Sequence, residues 1–409
     1  MKRNKTIISF IVIVFILVGP LFLVWFFSPS PSFAIQLVKS TNINGDANDA
    51  DGALGMVMDG DGYLYSTGYI TVPGQGKDIW LAKFDQDLNM IKNNSINGLA
   101  SGDDIGYTLT FDENNSLFLL GYLDQGGTGN DIFLARFNST DLSMEKGVMI
   151  NGPANGTDDG YGILYNPNDK NLYIAGTTED IVEGQNIYLA KFYTNLTLIK
   201  NVMFNGPSSG TDKARFLALD SSGNLYVSGS KSRAGTGYDM WLGKFDTNFT
   251  LINEIFLAGQ TSGEDKGYGI VIDSDNIVYL TGTLNHSSQG FNIFLAKFDN
   301  NLNQLKNVTL NGPLNGEDVA YSLAFDRNGN LILTGVYSES PGNSNIWIGI
   351  YDNQLNLLTY DTIDGGSHGY DTGYGVILGM DNDFYVSGFI EEPIENTNIW
   401  IARYSQTFI

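Results

Sequence analysis

The sequence predicts an all-β fold, a seven-bladed β-propeller of four-stranded antiparallel blades. After an N-terminal segment, one pattern occurs seven times at a period of 53 or 54 residues in the 409-residue chain. Each copy holds four short apolar runs separated by loops and turns, and four-strand repeats of this length are typical of propeller blades. The copies begin near residues 44, 97, 151, 205, 258, 311 and 364.

The first predicted strand of each blade follows an aspartate, and two residues later comes a glycine or alanine. Small residues let neighbouring innermost strands approach closely around the axis. We interpret the aspartates as structural acceptors of backbone N–H bonds, because buried polar groups are usually satisfied in this way. The alternative is an oxygen-lined cation site near the axis. The aspartates are Asp51, Asp104, Asp158, Asp212, Asp265, Asp318 and Asp371.

The second and third predicted strands also carry one constant position each. The second strand ends in a glycine in every copy, and the third carries a large aromatic residue that would fill the wedge between blades. The glycines are Gly68, Gly121, Gly176, Gly229, Gly282, Gly335 and Gly388. The aromatic residues are Trp80, Phe133, Tyr188, Trp241, Phe294, Trp347 and Trp400.

The fourth predicted strand of the last blade is missing at the C-terminus, because the chain stops at Ile409 soon after the third. Residues 33–43 match fourth strands such as residues 88–96. We therefore expect the N-terminal strand to complete blade seven and to close the ring, which buries two free strand edges. Residues 33–409 are then one domain.

The N-terminus predicts a membrane anchor. Lys2, Arg3 and Lys5 precede an uncharged, mostly apolar stretch from Thr6 to Phe27, which is long enough to span a bilayer. We predict a cytoplasmic basic tip, an anchor and a short linker in residues 1–32. The propeller would then be extracellular, because basic flanks stay inside. The alternative is a signal peptide, cleaved at the small-x-small string that ends at Ala34, and a secreted protein.

The repeat also resembles a known family. Residues 265–273 and 220–229, which read DKGYGIVID and DSSGNLYVSG, are similar to the SBBP-type β-propeller repeat. The resemblance implies a bacterial or archaeal surface or secreted protein, and it implies a fold rather than a chemistry. Two copies depart from the pattern after the first-strand aspartate, with Arg215 and Leu54 where the other copies have tyrosine.

Composition and missing motifs exclude several function classes. The chain has no cysteine, and therefore no disulfide framework or thiolate metal site. A net charge of -23 argues against nucleic-acid binding and suits cations or basic partners. The two histidines, His286 and His368, cannot form a zinc cluster. Asp59–Gly62 and Asp273–Asn276 faintly resemble calcium loops but lack the distal glutamate, so we predict hairpin turns, no cofactor and at most a bound calcium ion.

The chain contains eight Asn-x-Ser/Thr sequons after the N-terminal segment. Most are predicted on outermost strands or in turns, where a glycan or polar residue would discourage edge-to-edge pairing. They are Asn93, Asn114, Asn138, Asn155, Asn195, Asn248, Asn285 and Asn307.

The segments between second and third strands differ most between copies, while the turns on the opposite face are nearly uniform. Divergent loops on a rigid scaffold are typical of binding proteins, although such loops can also simply drift. We predict an extracellular propeller that binds a surface protein or a polysaccharide through this variable-loop face. The alternatives are an exported carbohydrate-active enzyme that uses loop carboxylates and a structural subunit of the cell envelope.

Blade four has an unusual set of cations for such an acidic chain. We predict that they share one sector of the variable-loop face and bind ligand there. Arg215 either pairs with a nearby carboxylate or contacts an anionic ligand, and a carboxylated sugar or an acidic peptide would suit its guanidinium. The candidates are Lys213, Arg215, Lys231, Arg233 and Lys266.

Overall fold

The computed structural model describes residues 33–127, 129–393 and 396–408, and within these ranges it contains strands and no helix. Seven antiparallel sheets of four strands each form the blades of a propeller, as the repeat predicts. The first strands of consecutive blades contact one another in a closed ring, so they are the innermost strands. No described segment is a helix that could cross a membrane, and the predicted anchor in residues 1–32 lies outside the described residues.

Blades one to four follow the chain in order. Blade one contains β2 (Gly52–Met58), β3 (Leu64–Val72), β4 (Gly76–Phe84) and β5 (Met90–Ile96). Blade two contains β6 (Ile105–Phe111), β7 (Leu117–Asp124), β8 (Asn130–Phe137) and β9 (Met144–Ile150). Blade three contains β10 (Asp159–Asn166), β11 (Asn171–Asp180), β12 (Gly184–Tyr193) and β13 (Leu198–Phe204). Blade four contains β14 (Lys213–Leu219), β15 (Leu225–Arg233), β16 (Gly237–Phe245) and β17 (Leu251–Leu257), and the short β18 (Gly263–Glu264) pairs with β16.

The remaining three blades repeat the pattern, and the last one uses both ends of the chain. Blade five contains β19 (Lys266–Ile272), β20 (Val278–His286), β21 (Gly290–Phe298) and β22 (Gln304–Leu310). Blade six contains β23 (Val319–Phe325), β24 (Leu331–Ser340), β25 (Asn343–Tyr351) and β26 (Leu357–Ile363). Blade seven contains β27 (Thr372–Leu378), β28 (Phe384–Glu392), β29 (Asn396–Phe408) and β1 (Phe33–Ile43).

The predicted closure by the N-terminal strand is confirmed. Strand β1 pairs antiparallel with β29, with Ile43 opposite Ile399 and Ile35 opposite Gln406. On the loop face, the backbone N–H of Asp51 donates to the carbonyl of Thr397 at 2.8 Å, which joins blade one to blade seven. The ring is therefore closed by strand pairing and by a contact between the two blades.

Most of the hydrophobic core of the described residues lies in seven wedges, each built by two neighbouring blades. The aromatic residue of each third strand is buried in a wedge; Trp80, Trp241 and Trp347 are at most 1% exposed. Large aromatic side chains bury about 150–250 Å² each and dominate the energetics of such cores. The wedges therefore hold the blades in fixed relative positions, which gives the axis a rigid lining.

The variable segments between second and third strands are less irregular than predicted. In the strand ladder of blade four, Lys231 lies opposite Asp239 and Arg233 lies opposite Gly237. Only residues 234–236 therefore form the loop of the β15–β16 hairpin. Residues 177–185 of blade three similarly lie mainly in β11 and β12. The cause is that the ladder hydrogen bonds continue almost to the hairpin tip, which makes these segments stiff extensions of the blades.

Candidate functional site at the axis

A β-bulge in the first strand of every blade presents one residue to the central axis. The pairing of first and second strands shifts at this point in all seven blades. In six blades the single residue left out is the third after the conserved aspartate, and in blade five that residue and the next one, Tyr268 and Gly269, are left out. Bulges leave one residue unpaired and re-aim its side chain. We call these residues the axial ring. Its members are Leu54, Tyr107, Tyr161, Arg215, Tyr268, Tyr321 and Tyr374.

The glycine at the end of each second strand makes room for this bulge. A Cβ atom on Gly68 would lie 1.9 Å from the carbonyl oxygen of Gly52, and one on Gly335 would lie 1.8 Å from that of Val319. No side chain fits at such a distance from backbone. The glycine column of the sequence is therefore a requirement of the bulge that positions the axial ring.

The seven first-strand aspartates tie the blades together beside the ring. All seven are 0% exposed. The carboxylate of Asp104 accepts hydrogen bonds from the backbone N–H groups of Gly98 at 2.5 Å and Asp124 at 2.6 Å, and each of the other six accepts the equivalent pair. Each aspartate N–H also donates to a third-strand carbonyl of the preceding blade at 2.6 to 2.9 Å. These contacts are those of a structural carboxylate.

Burial changes the acidity of these aspartates. It raises the pKa of Asp104, Asp158 and Asp371 to about 6, although the backbone N–H bonds oppose the shift. Burial raises the pKa of the other four in the same direction. The cause is that a low-dielectric environment disfavours the charged form of a carboxyl group.

The axial ring is continuous from blade two to blade seven. The ring centroids of Tyr107 and Tyr161 are 4.8 Å apart, and those of Tyr321 and Tyr374 are 4.7 Å apart. Tyr268 contacts Tyr321 at 4.8 Å. All seven ring members are half-buried, so each keeps part of its surface accessible to solvent. Burial raises the pKa of Tyr107, Tyr161, Tyr321 and Tyr374 well above the ordinary value, so their hydroxyls stay protonated at neutral pH.

Arg215 takes the place of a tyrosine in this ring and lies between two others. Its guanidinium carbon is 5.3 Å from the ring centroid of Tyr161 and 4.7 Å from that of Tyr268. Among the described residues, no ion pair includes Arg215. Its Nε is buried and has no hydrogen-bond partner in the described part of the chain. Of the two roles predicted for Arg215, a structural ion pair is therefore wrong, and cation–π contacts hold the guanidinium instead.

The acidic groups nearest to Arg215 are engaged with other residues. Asp159 accepts a hydrogen bond from the Tyr161 hydroxyl at 2.7 Å, and the Nζ of Lys213 donates to the same hydroxyl at 3.2 Å. Lys266 forms an ion pair with Glu264 at 2.6 Å. Burial, and then the neighbouring charge of Arg215, lower the pKa of Lys213. The site thus holds three cations and two carboxylates, and neither Lys213 nor Arg215 forms an ion pair among the described residues. Lys213 has a hydroxyl partner, whereas Arg215 has only cation–π contacts.

The surroundings of the ring differ between the two sides of the propeller. The residue that follows the second-strand glycine is aromatic in blades seven, one and two, where it is Phe389, Tyr69 and Tyr122. In blades three to five it is small and polar. Tyr122 contacts the ring residue Tyr107 at 6.0 Å, and Phe389 contacts Tyr374 at 5.8 Å. Buried aromatic residues therefore support the axial ring on one side, and the charged groups around Arg215 lie on the other. We call the solvent-accessible surface of the axial ring the axial opening.

Two of the five predicted cations have partners away from the axial ring. Lys231 is 5% exposed and forms an ion pair at 2.9 Å with Glu254 on the outermost strand β17. Arg233 pairs with the buried Asp239 at 2.8 Å and lies over the ring of Phe256. Both side chains extend toward the outer edge of blade four because β15 continues to Arg233. Only Lys213, Arg215 and Lys266 converge at the axis.

The other predicted positions lie apart from the ring. Asp59 and Asp273 each accept two backbone N–H bonds within their own turns. His368 contacts Asp364 at 2.6 Å on the surface, and His286 contacts Ser288. Six sequon asparagines are exposed, whereas Asn138 and Asn285 are half-buried. Within the described ranges, no three His, Asp or Glu side chains are grouped so that they could hold a metal ion.

The sequence contains a signal for the axial ring, but the ring was not predicted from it. Tyrosine recurs in five copies at one position, and Arg215 stands out there, but spacing alone does not reveal a bulge. An alternating strand would send this side chain and its neighbours to opposite faces. The bulge changes that alternation, which turns a repeated tyrosine into a ring around the axis.

Comparison with known proteins supports the fold. No family model matches the chain, and no curated protein matches it. Among solved structures, a crystal structure of RRP9 WD40 repeats is similar to it, with a TM-score of 0.55 and 8% sequence identity over 91% of this chain and 100% of that chain. At this identity the likeness concerns architecture alone. The chain has the fold of a β-propeller that is similar to WD40 propellers.

Proposed function

We propose that this protein is a membrane-anchored extracellular propeller that binds a partner, a surface protein or a polysaccharide, through the face that carries the variable segments. The cellular location rests on the apolar stretch Thr6–Phe27 and its basic flank. The SBBP-type assignment rests on the repeat strings of residues 220–229 and 265–273. Neither supports a catalytic role.

The observation that carries the binding function is the axial ring with its unpaired Arg215. The guanidinium of Arg215 is held by cation–π contacts alone and lacks the acidic partner that a buried charge normally has. Aromatic side chains and arginine are also the residues enriched where proteins bind partners. Rigid blades hold this set in place, because wedge packing and the buried aspartates fix the innermost strands. The arrangement is that of a preorganised binding surface.

A steric block can test which face binds. The natural chain has no cysteine, so a single introduced thiol is unique. Ser209 is exposed in the β13–β14 loop on the variable face, and Ser222 is exposed in the β14–β15 turn on the opposite face. Ser209→Cys and Ser222→Cys are nearly isosteric and form a matched pair. Each full-length variant would be coupled to a bulky maleimide polymer and screened against surface proteins and polysaccharides.

We expect the polymer at position 209 to abolish binding of any partner that the unmodified chain captures. The polymer at position 222 should leave the affinity unchanged. The reverse pattern, or equal loss with both variants, would contradict a partner site on the variable face. Melting curves of both conjugates check that the ring remains folded.

A further inference from the structure

Arg215 is positioned to bind an anion in the plane of its guanidinium. Tyr161 and Tyr268 lie against the guanidinium at 5.3 and 4.7 Å, which leaves its N–H edge as the donor side. Arginine presents its donors in a planar fork that matches a carboxylate with two parallel bonds. No carboxylate of the described chain forms an ion pair with this edge; one oxygen of Asp159 accepts from Tyr161, and Glu264 pairs with Lys266.

The charge around Arg215 favours an incoming carboxylate. Lys213 lies near enough to Arg215 for the two cations to repel each other, and Lys266 is next to them. A bound anion would relieve this repulsion. It would also accept hydrogen bonds from partly desolvated N–H groups, and such charge-assisted hydrogen bonds are strong. The net charge of the whole chain is -23, so most of its surface repels an anion. The cations at the axis would therefore direct an anionic ligand to this one place.

The rest of the opening favours a sugar. The half-buried tyrosines of the axial ring keep part of their aromatic surface accessible, and Tyr370 is 37% exposed beside Phe389. Tyr69, Tyr122 and Phe389 are buried and support the ring from behind. The C–H face of a pyranose packs on the electron-rich face of an aromatic ring. The ring tyrosines add several protonated hydroxyls, which can donate to and accept from sugar hydroxyls. A side chain of an acidic peptide would use Arg215 and leave most of these groups unmatched.

We propose that the axial opening binds a carboxylated sugar, with the uronate carboxylate on Arg215 and the pyranose against the tyrosines of the axial ring. This inference rests on the proposed binding function and specifies its ligand class. It makes Arg215 the residue that selects acidic over neutral polysaccharides.

The test uses the purified full-length chain and isothermal titration calorimetry. The probes are a galacturonate oligosaccharide, a glucuronate oligosaccharide, each of them after reduction of its carboxyls to alcohols, and a Glu-rich peptide. Arg215→Tyr is the informative variant, because tyrosine occupies this position in five other blades and completes the ring. Arg215→Lys keeps the charge without the fork. Arg327→Ser is the matched control, since it removes one exposed arginine from a turn of the opposite face.

We expect at least one uronate oligosaccharide to bind and its carboxyl-reduced form to bind about tenfold or more weakly, as befits loss of a hydrogen-bonded charge pair. Arg215→Tyr should lose a similar factor, Arg215→Lys should fall between, and Arg327→Ser should bind like the natural chain. Equal affinity for reduced and acidic sugars, unchanged binding in Arg215→Tyr, absence of binding by both uronates, or binding of the peptide alone would overturn the inference.

The two proposals can fail separately. If a partner is blocked by the polymer at Ser209→Cys but its affinity does not depend on Arg215, the variable face still binds and only the carboxylate site is wrong. If the polymer at Ser209→Cys leaves partner binding intact, the proposed function itself is wrong.

Discussion

At the scale of single residues, the fold depends on positions where the backbone leaves no room for another side chain. The second-strand glycines lie against the carbonyl groups of the first-strand bulges, and the buried aspartates satisfy the loops on either side of them. The same two columns hold the axial ring in place. Structural residues and candidate binding residues are therefore neighbours along a few residues of each first strand.

Gly335→Ala should destabilise the propeller by about 2–4 kcal/mol, because the new Cβ would lie 1.8 Å from the carbonyl oxygen of Val319 and the bulge would have to shift. Gly60→Ala is the matched control, since a Cβ there meets nothing within 4 Å. Urea unfolding followed by tryptophan fluorescence measures both. A Gly335→Ala variant as stable as the control would show that the bulge is not rigid.

The aspartate column predicts a pH dependence of stability. The pKa of Asp104, Asp158 and Asp371 is raised to about 6 in the folded chain, above the value near 4 of an unfolded aspartate. The folded state therefore binds more protons between about pH 4 and 6, and stability falls as pH rises through this window. We expect a higher melting temperature at pH 5 than at pH 7.

An asparagine variant isolates this contribution from the general effect of net charge. Asp104→Asn cannot titrate, so its melting temperature should change less between pH 5 and 7 than that of the natural chain. The variant should also have a lower melting temperature at every pH. Its side-chain amide puts an N–H₂ group in the place of one carboxylate oxygen that accepts a backbone N–H bond. An identical pH slope in both proteins would show that the buried carboxyl does not titrate in this range.

At the scale of strands and blades, the weakest point is where the ring is closed. Blades one to six are continuous in sequence, whereas blade seven needs β1 from the other end of the chain. Without β1, the edge of β29 and part of the wedge with Phe33 and Ile35 would be exposed. Closure therefore couples the two ends of the domain.

Deleting residues 33–43 should lower the melting temperature by many degrees or abolish soluble expression. Because only a strand is missing, a synthetic peptide of residues 33–43 should partly restore stability when added in excess, and a scrambled peptide should not. Differential scanning fluorimetry measures both effects. A deletion variant that melts like the natural chain would refute closure by β1.

At the scale of the whole molecule, the direction of β1 predicts how the propeller faces the membrane. The face opposite the variable segments carries short turns such as the β14–β15 turn, and we call it the uniform-turn face. Strand β1 runs from this face toward the loop that carries Asp51, and the proposed anchor directly precedes β1. The uniform-turn face should therefore lie nearer the bilayer, and the axial opening with Arg215 should point outward. A partner could then approach without passing the membrane.

Epitope tags inserted at residue 235, at the β15–β16 hairpin tip, and at residue 223, in the β14–β15 turn, test this orientation on intact cells. We expect stronger antibody binding to the tag at 235. Both tags must be detected equally in permeabilised, detergent-solubilised protein, which controls for folding and tag recognition. Better access at 223 on intact cells would reverse the orientation.

Local repetition explains why so much of the fold was predictable. Blade number, strand order, closure by residues 33–43 and the wedge aromatics such as Trp241 all follow from a pattern that repeats every 53 or 54 residues. Every blade makes the same contacts with its neighbours, so the residues that make them recur at equivalent positions in each copy. Where all copies agree, sequence and structure therefore agree.

Where one blade differs from the others, only the tertiary structure shows which contacts its residues make. The bulge turns the tyrosine column inward, and this leaves Arg215 between Tyr161 and Tyr268 without an acidic partner. The continued pairing of β15 sends Lys231 and Arg233 outward to Glu254 and Asp239. Both outcomes depend on strand register and on side chains from other strands or blades, because a side chain's partners are set by the surfaces that packing brings next to it.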